Sequence, residues 1–392
     1  MTTDPRPALF GGAERVHSFD ETAPPPAPTG VPSSGSESVQ PEAAAASPQP
    51  APDTSPPRAA SEEGQGPVTR RARRAAELME PDPAASQVPL TGWRRALKAM
   101  TFGLASPAPD PRLVEWQADR AAVNANFPRL LTAMVANPKG GRGKTPLTLL
   151  LAAAFGELRG GGVCAWDNNE TLGTMGIRTE VGPYRTTVVD LVADLDRFEH
   201  VRARRGDLGQ YTHHQASGHF DALISDEDPT RMAMVDREQF ERIHELLGRF
   251  YNIIMIDTGN NPKAANFVSA LAASDVLVIP IQWTRDSVVT AGRLVDQLRE
   301  AGREDLVASA VTVVSDKGQS LKASPEQVAA WREWFSDTTG TLINVPFDAH
   351  IAEDGVLRWD ALQEGTQRAF VRVAAAISNA FSQRVSTTGV GQ

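Results

Sequence analysis

Cysteine is almost absent from this chain of 392 residues, in which Cys164 is the only one. A single cysteine excludes an internal disulfide and any metal site built from several cysteines, as expected for a reducing cytosol. Long hydrophobic runs are missing as well: no stretch approaches the length of a membrane span, and no early apolar segment reads as a signal peptide. We therefore expect a cytoplasmic protein, and peripheral contact with the nucleoid or the inner membrane face stays open.

Basic residues are outnumbered, with 39 Lys and Arg against 48 Asp and Glu and a net charge of −9. This balance argues against a protein whose whole surface is built to bind nucleic acid, and a local basic patch remains open. The length suits either two average domains or one large α/β domain with appendages. The uneven composition of the chain favours the second arrangement.

Large apolar side chains are sparse in residues 1–88, which are rich in proline, alanine, serine and acidic residues. Of the 29 prolines in the chain, 17 precede Leu90. Such a composition cannot offset the entropic cost of ordering the backbone, so we expect a disordered tail over 1–88. Its basic cluster at 70–74 is either a solvated charge run or a contact for nucleic acid, acidic lipid or an acidic partner.

An amphipathic helix is predicted next, within a segment of helix and linker over 89–125. Its apolar residues follow a helical spacing of four, three and four: Trp93, Leu97, Met100 and Leu104. From 70 to 98, seven basic residues stand against three acidic ones. This basic segment can bind nonspecific DNA or an anionic membrane surface. The alternative is that its apolar stripe packs on the domain that follows.

The strongest motif runs from Leu130 to Leu158, as an apolar run, a glycine-rich loop and an apolar helix pattern. A loop between the end of a strand and the first turn of a helix presents unpaired N–H groups and the positive end of the helix dipole, which suits a polyphosphate. In such a loop, glycines allow the backbone to approach the phosphate oxygens closely, a lysine reaches the β- and γ-phosphates, and a threonine hydroxyl binds magnesium. These residues are Gly140, Gly141, Gly143, Lys144 and Thr145. The alternative is a glycine-rich turn without a ligand.

The loop sequence from Lys139 to Thr145, Lys-Gly-Gly-Arg-Gly-Lys-Thr, resembles the deviant Walker A motif of the ParA/MinD family of dimerising ATPases. The resemblance implies that Lys139 reaches the nucleotide of the partner subunit and that Lys144 binds the phosphates of its own. It also implies nucleotide contacts along the loop, including Arg142 and Pro146. Pro146 stands where the family usually has threonine or serine, and a proline is tolerated there because first-turn N–H groups have no intrahelical partner.

Two aspartates end apolar runs further along the chain. Asp167 follows Val163–Trp166, and the resemblance implies that it positions or activates the hydrolytic water, whereas the alternative is a cap for the next turn. Asp257 follows the apolar run at 251–256, which is the Walker B pattern, whose aspartate holds magnesium directly or through water. Thr145 and Asp257 are therefore the predicted Mg²⁺ ligands.

Strand and helix patterns alternate through the rest of the chain. Strands are predicted at 220–225, 276–282, 306–315 and 341–346, and helices at 238–250, 287–301, 325–336 and 366–384. This alternation predicts an α/β fold of the P-loop NTPase type, with a mainly parallel sheet and helices on both faces. Lys144, Asp167 and Asp257 would then meet at the carboxyl ends of the strands. The resemblance places Pro346 and Phe347 beside the adenine.

We assign the ATPase domain to 126–384 and expect a disordered end at 385–392. The leading interpretation is a ParA/MinD-type ATPase that binds ATP and Mg²⁺, forms a homodimer with ATP and positions or regulates cargo through a protein partner or adaptor. Hydrolysis is expected to be slow and stimulated by a partner. Plasmid or chromosome partition is one family role, and the chain also resembles actinobacterial ParA-like proteins, some of them associated with type VII secretion. The alternatives are a nucleotide-binding scaffold with little turnover and a metabolic P-loop ligase.

Overall fold

The computed structural model describes residues 92–102, 108–169, 173–182, 184–198, 203–232, 235–318 and 321–389. The predicted disordered tail at 1–88, with its basic cluster, lies outside these ranges, and so does Leu104 of the predicted apolar stripe. Within the ranges the chain alternates helices and strands from Trp93 to Gly389.

The described strands form one mainly parallel sheet. They are β1 (Leu131–Val135), β2 (Val163–Asn168), β3 (His213–Gln215), β4 (Phe220–Leu223), β5 (Ile253–Thr258), β6 (Val276–Ile281), β7 (Val311–Ser315) and β8 (Thr341–Val345). Their spatial order is β3-β4-β2-β5-β1-β6-β7-β8. Every neighbouring pair is parallel except β3 and β4, which are antiparallel. The predicted parallel sheet is confirmed, with an antiparallel strand added at one edge.

Helices precede, connect and follow these strands. They are α1 (Trp93–Met100), α2 (Pro111–Val123), α3 (Lys144–Arg159), α4 (Met175–Arg178), α5 (Val188–Ala193), α6 (Arg205–Leu208), α7 (Pro229–Met232), α8 (Arg237–Gly248), α9 (Ala265–Ala273), α10 (Arg285–Glu300), α11 (Glu304–Ala308), α12 (Pro325–Thr338), α13 (Ala349–Ala352) and α14 (Glu364–Gly389). Short 3₁₀ turns lie at Leu195–Phe198 and Trp359–Ala361.

Helices cover both faces of the sheet, as predicted. Successive residues of a strand point to opposite faces, and β1 shows the division: Leu131 and Ala133 belong to one apolar core, and Met134 belongs to another. The first core is completed by α3 and α14, and the second by α8 and α10. The phosphate-loop helix α3 is therefore held rigidly, because most of its length is buried against the sheet.

Helix α2 packs on α14, so the later part of the 89–125 segment joins the domain. Arg372 of α14 forms an ion pair with Asp119 at 3.6 Å. The rings of Phe127 and Phe381 meet edge to face with centroids 5.3 Å apart. Asp110 caps the start of α2 by accepting a hydrogen bond from the N–H of Arg112 at 3.0 Å.

Helix α1 forms where the apolar spacing predicts a helix, but its apolar stripe faces solvent. Trp93 is 66% exposed and Met100 is 80% exposed, and Phe102, just after the helix, is 96% exposed. Leu97, which lies between Trp93 and Met100 in the stripe, is 36% exposed. Among the described helices, none combines the length and apolarity that crossing a bilayer requires.

Two boundaries differ from the prediction by more than two residues. Residues 306–308, predicted to begin a strand, lie in α11, and β7 begins only at Val311. Glu304 and Asp305 occupy the first turn of α11, where the helix dipole stabilises carboxylates. Leu306 is buried, as an apolar strand residue would be, but it belongs to this helix. Helix α14 continues past its predicted end at 384 to Gly389 and so overlaps the end that the sequence predicted to be disordered.

The centre of the sheet is closed to solvent. Strand β2 lies between β4 and β5, and each of its residues from Val163 to Asn168 is buried. Cys164 is 0% exposed. Burial, assisted by the negative charge of Asp221, raises the pKa of its thiol well above the usual range.

Candidate nucleotide-binding site

The segment that joins β1 to α3 has the shape of a phosphate loop. Gly141 and Gly143 have φ angles of 70° and 80°, in the left-handed region that favours glycine. Gly143 directly precedes α3, whose first N–H groups have no intrahelical carbonyl to bind. The loop therefore delivers unpaired donors and the positive end of the helix dipole to one point, which suits a phosphate.

Lys144 opens α3 and folds its ammonium group back beneath the loop. Its Nζ donates to the main-chain oxygen of Asn137 at 3.0 Å and to the side-chain oxygen of Asn260 at 2.6 Å. The residue is 9% exposed. Asn137 is fixed in turn, because its Nδ2 donates to the carbonyl of Pro280 at 2.8 Å. A buried cation is thus held in place at the floor of the loop.

Thr145 and Asp257 form the second part of the site. The Thr145 hydroxyl donates to Oδ2 of Asp257 at 2.5 Å. Asp257 is 3% exposed, and its Oδ1 accepts no hydrogen bond from a described residue. An open carboxylate oxygen beside a threonine hydroxyl fits Mg²⁺ as it is held in P-loop proteins. No group of three or more His, Cys, Asp or Glu side chains gathers as a metal site within the described ranges.

Asp167 lies directly across the sheet from Asp257, as its register partner between β2 and β5. It is 0% exposed. Its carboxylate accepts hydrogen bonds from the Ser225 hydroxyl at 2.8 Å and from the N–H groups of Asn169 at 3.2 Å and Met175 at 3.4 Å. The structure thereby brings Asp167 and Asp257 together at the carboxyl ends of two adjacent strands.

Burial raises the pKa of both carboxyl groups. For Asp167 it raises the pKa to about 6, opposed by the hydrogen bond from Ser225. For Asp257 burial and the negative charge of Asp167 raise the pKa to about 8, against the hydrogen bond from Thr145. Two neighbouring carboxyls that resist ionising together favour binding of a cation between or beside them.

We expect the nucleotide-free protein to lose stability as the pH rises. An unfolded aspartate has a pKa near 4, whereas Asp257 reaches about 8 in the folded state. The folded state therefore binds more protons between these values, and the free energy of unfolding falls with rising pH. Asp257→Asn removes the ionisable group and should flatten that dependence. Thermal unfolding with a chelator from pH 5 to pH 8 measures it, and equal slopes in parent and variant would contradict the assignment.

Lys139 and Arg142 share one carboxylate. Nζ of Lys139 lies 3.7 Å from Oδ2 of Asp286, and Arg142 approaches the same oxygen at 2.9 Å. Arg142 is held further by Gln282, which accepts a hydrogen bond from it at 2.7 Å. The side chain of Lys139 is 46% exposed and that of Arg142 is 14% exposed. Arg142 is therefore a fixed part of the wall, whereas Lys139 stands at the surface.

A cavity of about 370 Å³ opens beside the loop. It is lined by loop residues and by the segments that follow β7 and β8, among them Gly141, Gly143, Pro146, Asp316, Pro346 and Phe347. Gly318 has a φ of 66°, and a Cβ built there would lie 2.9 Å from the Phe347 ring, so the segment after β7 lies directly against that ring. The structure thus places Pro346 and Phe347 in the same cavity as the phosphate loop.

Comparison by sequence finds a relative with a named role. No family model matches the chain. The chain is 24% identical over 301 residues to the ESX-1 secretion-associated protein EspI of Mycobacterium tuberculosis. The match covers 74% of this chain and 42% of EspI, so the chain spans less than half the length of this relative.

Comparison by structure identifies the fold. The cell division ATPase MinD of Pyrococcus furiosus superposes with a TM-score of 0.50 at 20% identity, covering 64% of this chain and 98% of that one. A ParA family ATPase from Chlorobium tepidum gives 0.52 at 17% identity, covering 63% and 98%. This chain has the ParA/MinD fold. The resemblance seen in the sequence motifs is confirmed at the level of fold.

Within the ParA/MinD fold, Pro146 occupies the first turn of the phosphate-loop helix. Helix α3 begins at Lys144, so Pro146 stands where an N–H group would have no intrahelical acceptor. The helix is intact, as the sequence predicts. The substitution removes one donor that the helix end would otherwise offer to an anion.

Sequence reasoning missed two residues that hold the candidate site. Asn260 accepts a hydrogen bond from Lys144, and Ser225 donates one to Asp167. Asn260 comes shortly after Asp257 in a polar loop, so its position behind the Walker B strand was an available signal. Ser225 follows β4, and only the strand order, in which β4 lies beside β2, brings it to Asp167.

Proposed function

We propose that the chain binds ATP with Mg²⁺ at this site and hydrolyses it. The main support is the position of Lys144, whose ammonium group is fixed beneath the loop by Asn137 and Asn260. The Thr145–Asp257 pair and the buried carboxylate of Asp167 complete a set suited to phosphoryl transfer.

Each residue then has a defined task. The loop N–H groups and Lys144 bind the phosphates, and Thr145 and Asp257 would hold Mg²⁺, which would neutralise phosphate charge. Asp167 accepts a hydrogen bond from the attacking water and so orients it toward the γ-phosphorus. The new bond joins the water oxygen to the γ-phosphorus as the bond from phosphorus to the ADP oxygen breaks. ADP leaves with that oxygen, and the proton that the water loses passes to the released phosphate. Positioning and charge neutralisation supply the catalysis.

A scaffold that binds ATP with little turnover is the second candidate. The complete burial of Asp167 favours it, because water must reach this carboxylate for hydrolysis. Phosphate release from ATP and Mg²⁺ by the full chain, followed in single-turnover and steady-state experiments, separates the two. Release of phosphate without a second substrate would also argue against a ligase.

We propose further that two subunits close over the bound nucleotides. Lys139 supports this, because its side chain is 46% exposed and its ion pair, to one carboxylate oxygen 3.7 Å away, is long. Breaking such an exposed ion pair costs little free energy. A lysine at this position can release Asp286 and reach a phosphate outside its own subunit. Lys144 is buried and hydrogen-bonded beneath the loop, so it is not free to reach a second subunit.

Lys139→Ala is expected to separate binding from dimerisation. Nucleotide affinity of the monomer should change by less than about threefold, because Lys144 and the loop N–H groups remain. ATP-dependent association should weaken roughly 10- to 100-fold, the value of one lost hydrogen bond to a charged group. Titration calorimetry and light scattering measure the two quantities.

Arg293→Ala serves as the matched control, since it removes an exposed cation from α10, seven residues beyond Asp286. It should leave association unchanged. If Lys139→Ala dimerises like Arg293→Ala and the parent, Lys139 is an ordinary loop residue and the dimer proposal fails, while nucleotide binding survives.

For the role of the switch, we propose secretion-associated control of cargo rather than plasmid or chromosome partition. The support is the similarity to EspI, a protein named for its association with ESX-1 secretion. The exposed apolar residues of α1, together with the basic segment 70–98 that α1 overlaps, would dock the chain on a protein adaptor, nonspecific DNA or anionic membrane. Binding of the full chain to DNA and to anionic vesicles, measured at low and raised salt, decides between these surfaces. If deleting 92–102 weakens neither kind of binding, α1 is not the docking segment.

A further inference from the structure

The Asp167 carboxylate is held by a second buried side chain. Ser225 lies just beyond β4, and the pairing of Trp166 with Leu223 brings its end of the strand level with Asp167. Its hydroxyl donates to Oδ2 of Asp167 at 2.8 Å. Both residues are buried, at 6% and 0% exposure, so water competes little for this hydrogen bond.

Gly173 closes the space around this hydrogen bond. A Cβ built at Gly173 would lie 1.6 Å from Oγ of Ser225 and 2.2 Å from Oδ2 of Asp167. The main chain therefore passes directly over the two side chains, at a distance that only glycine permits. The packing keeps the serine hydroxyl and the carboxylate in their present orientation.

The hydrogen bonds divide the two carboxylate oxygens into different roles. A carboxylate has about four acceptor positions, two on each oxygen. Oδ2 accepts from Ser225 and from the N–H of Met175, whereas Oδ1 accepts from the N–H of Asn169 at 3.2 Å. The main chain of Ser225 also hydrogen-bonds the carboxylate. The Ser225 hydroxyl ties Oδ2 to the end of β4, and in the proposed ATPase Oδ1 is the oxygen that accepts a hydrogen bond from water.

We propose that Ser225 is a positioning residue, which sets the orientation of Asp167 and thereby the direction in which the attacking water is held. In this role Ser225 acts through its contact with Asp167. The inference rests on the proposed ATPase function and adds to it a residue on β4 that no loop motif contains.

Ser225→Ala tests the inference. Losing a hydrogen bond to a buried charged group should lower kcat for ATP hydrolysis roughly 10- to 100-fold. The dissociation constant for ATP should change by less than about twofold, because the phosphate loop is untouched. Ser225→Cys, which fills similar space with a much weaker donor, should behave like Ser225→Ala, so the result does not depend on one variant folding.

Ser217→Ala is the matched control. Ser217 also donates to a carboxylate, Oδ1 of Asp360 at 2.7 Å, but at the exposed surface. This variant should keep the parent's kcat. Thermal unfolding of all variants checks that the fold is retained.

A double-mutant cycle separates positioning from a general structural effect. Once Asp167→Asn has removed the carboxylate, adding Ser225→Ala should change the residual single-turnover rate by less than about twofold. An equal loss in both backgrounds, or an unchanged kcat in Ser225→Ala, would overturn the inference while leaving the ATPase proposal intact. A parent chain that binds ATP without hydrolysing it would overturn the ATPase proposal and this inference with it.

Discussion

Lys144→Ala is expected to weaken ATP binding by roughly 100-fold or more. The ammonium group lies beneath the loop with hydrogen bonds to Asn137 and Asn260, so it meets the phosphates without first being ordered or desolvated. A charge-assisted contact in such a buried position contributes about 1.5 to 3 kcal/mol, and its long-range attraction to a polyphosphate adds to that. Titration calorimetry with ATP and Mg²⁺ measures the loss directly.

The free protein should survive this substitution. Lys144→Ala removes a buried charge together with its hydrogen bonds, so thermal unfolding without ligand should change far less than ligand binding does. ATP and Mg²⁺ should stabilise the parent against heat and leave the variant unaffected. Lys263→Ala, which removes an exposed lysine from the loop after β5, provides the comparison. ATP affinity within about threefold of the parent in Lys144→Ala would exclude this loop as the phosphate site.

Asp167→Asn should reduce hydrolysis by on the order of 10² to 10⁴, the typical contribution of a group that takes part in proton transfer or orients water. The amide keeps the size of the side chain, so the closely packed Gly173 need not move. ATP binding and ATP-dependent association should persist, because both lysines and the Thr145–Asp257 pair are unchanged. Phosphate release and light scattering on the same samples test both statements.

Asp296→Asn makes the same chemical change at an exposed position of α10 and should hydrolyse ATP at the parent's rate. If Asp167→Asn hydrolyses ATP as fast as this control, Asp167 is a structural residue that caps the following turn. Loss of ATP binding in Asp167→Asn would point instead to a defect in the site as a whole.

Local sequence was enough to predict the centre of the fold. The apolar run of β1, the glycine loop and α3 follow one another without interruption, and backbone sterics at Gly141 and Gly143 leave few other conformations. The alternation of strands and helices similarly determined a parallel sheet, since right-handed crossovers leave few topologies. Strand β3 was not predicted, because its residues His213, His214 and Gln215 show no apolar alternation. Among the described strands it is paired with β4 alone.

The contacts that orient the site required the three-dimensional structure. Lys144, Asp167 and Asp257 each stand in a recognisable local motif, whereas Ser225 stands in none. The hydrogen bond between Ser225 and Asp167 depends on β4 lying beside β2, and Gly173 lies against both side chains. Such long-range placements are set by packing and leave no periodic signal in the sequence.

The buried cysteine of β2 gives the protein a built-in probe of its own opening. A thiol alkylates through its thiolate, and burial disfavours that form and blocks access at Cys164. A maleimide should therefore modify the chain only while β2 is separated from its neighbours in the sheet. Because Cys164 is the only cysteine, the labelling rate would report a single event, the opening of the strand that carries Asp167. A bound nucleotide that holds the ends of β2 and β5 together would slow the labelling of Cys164. The measurement needs no engineered residue.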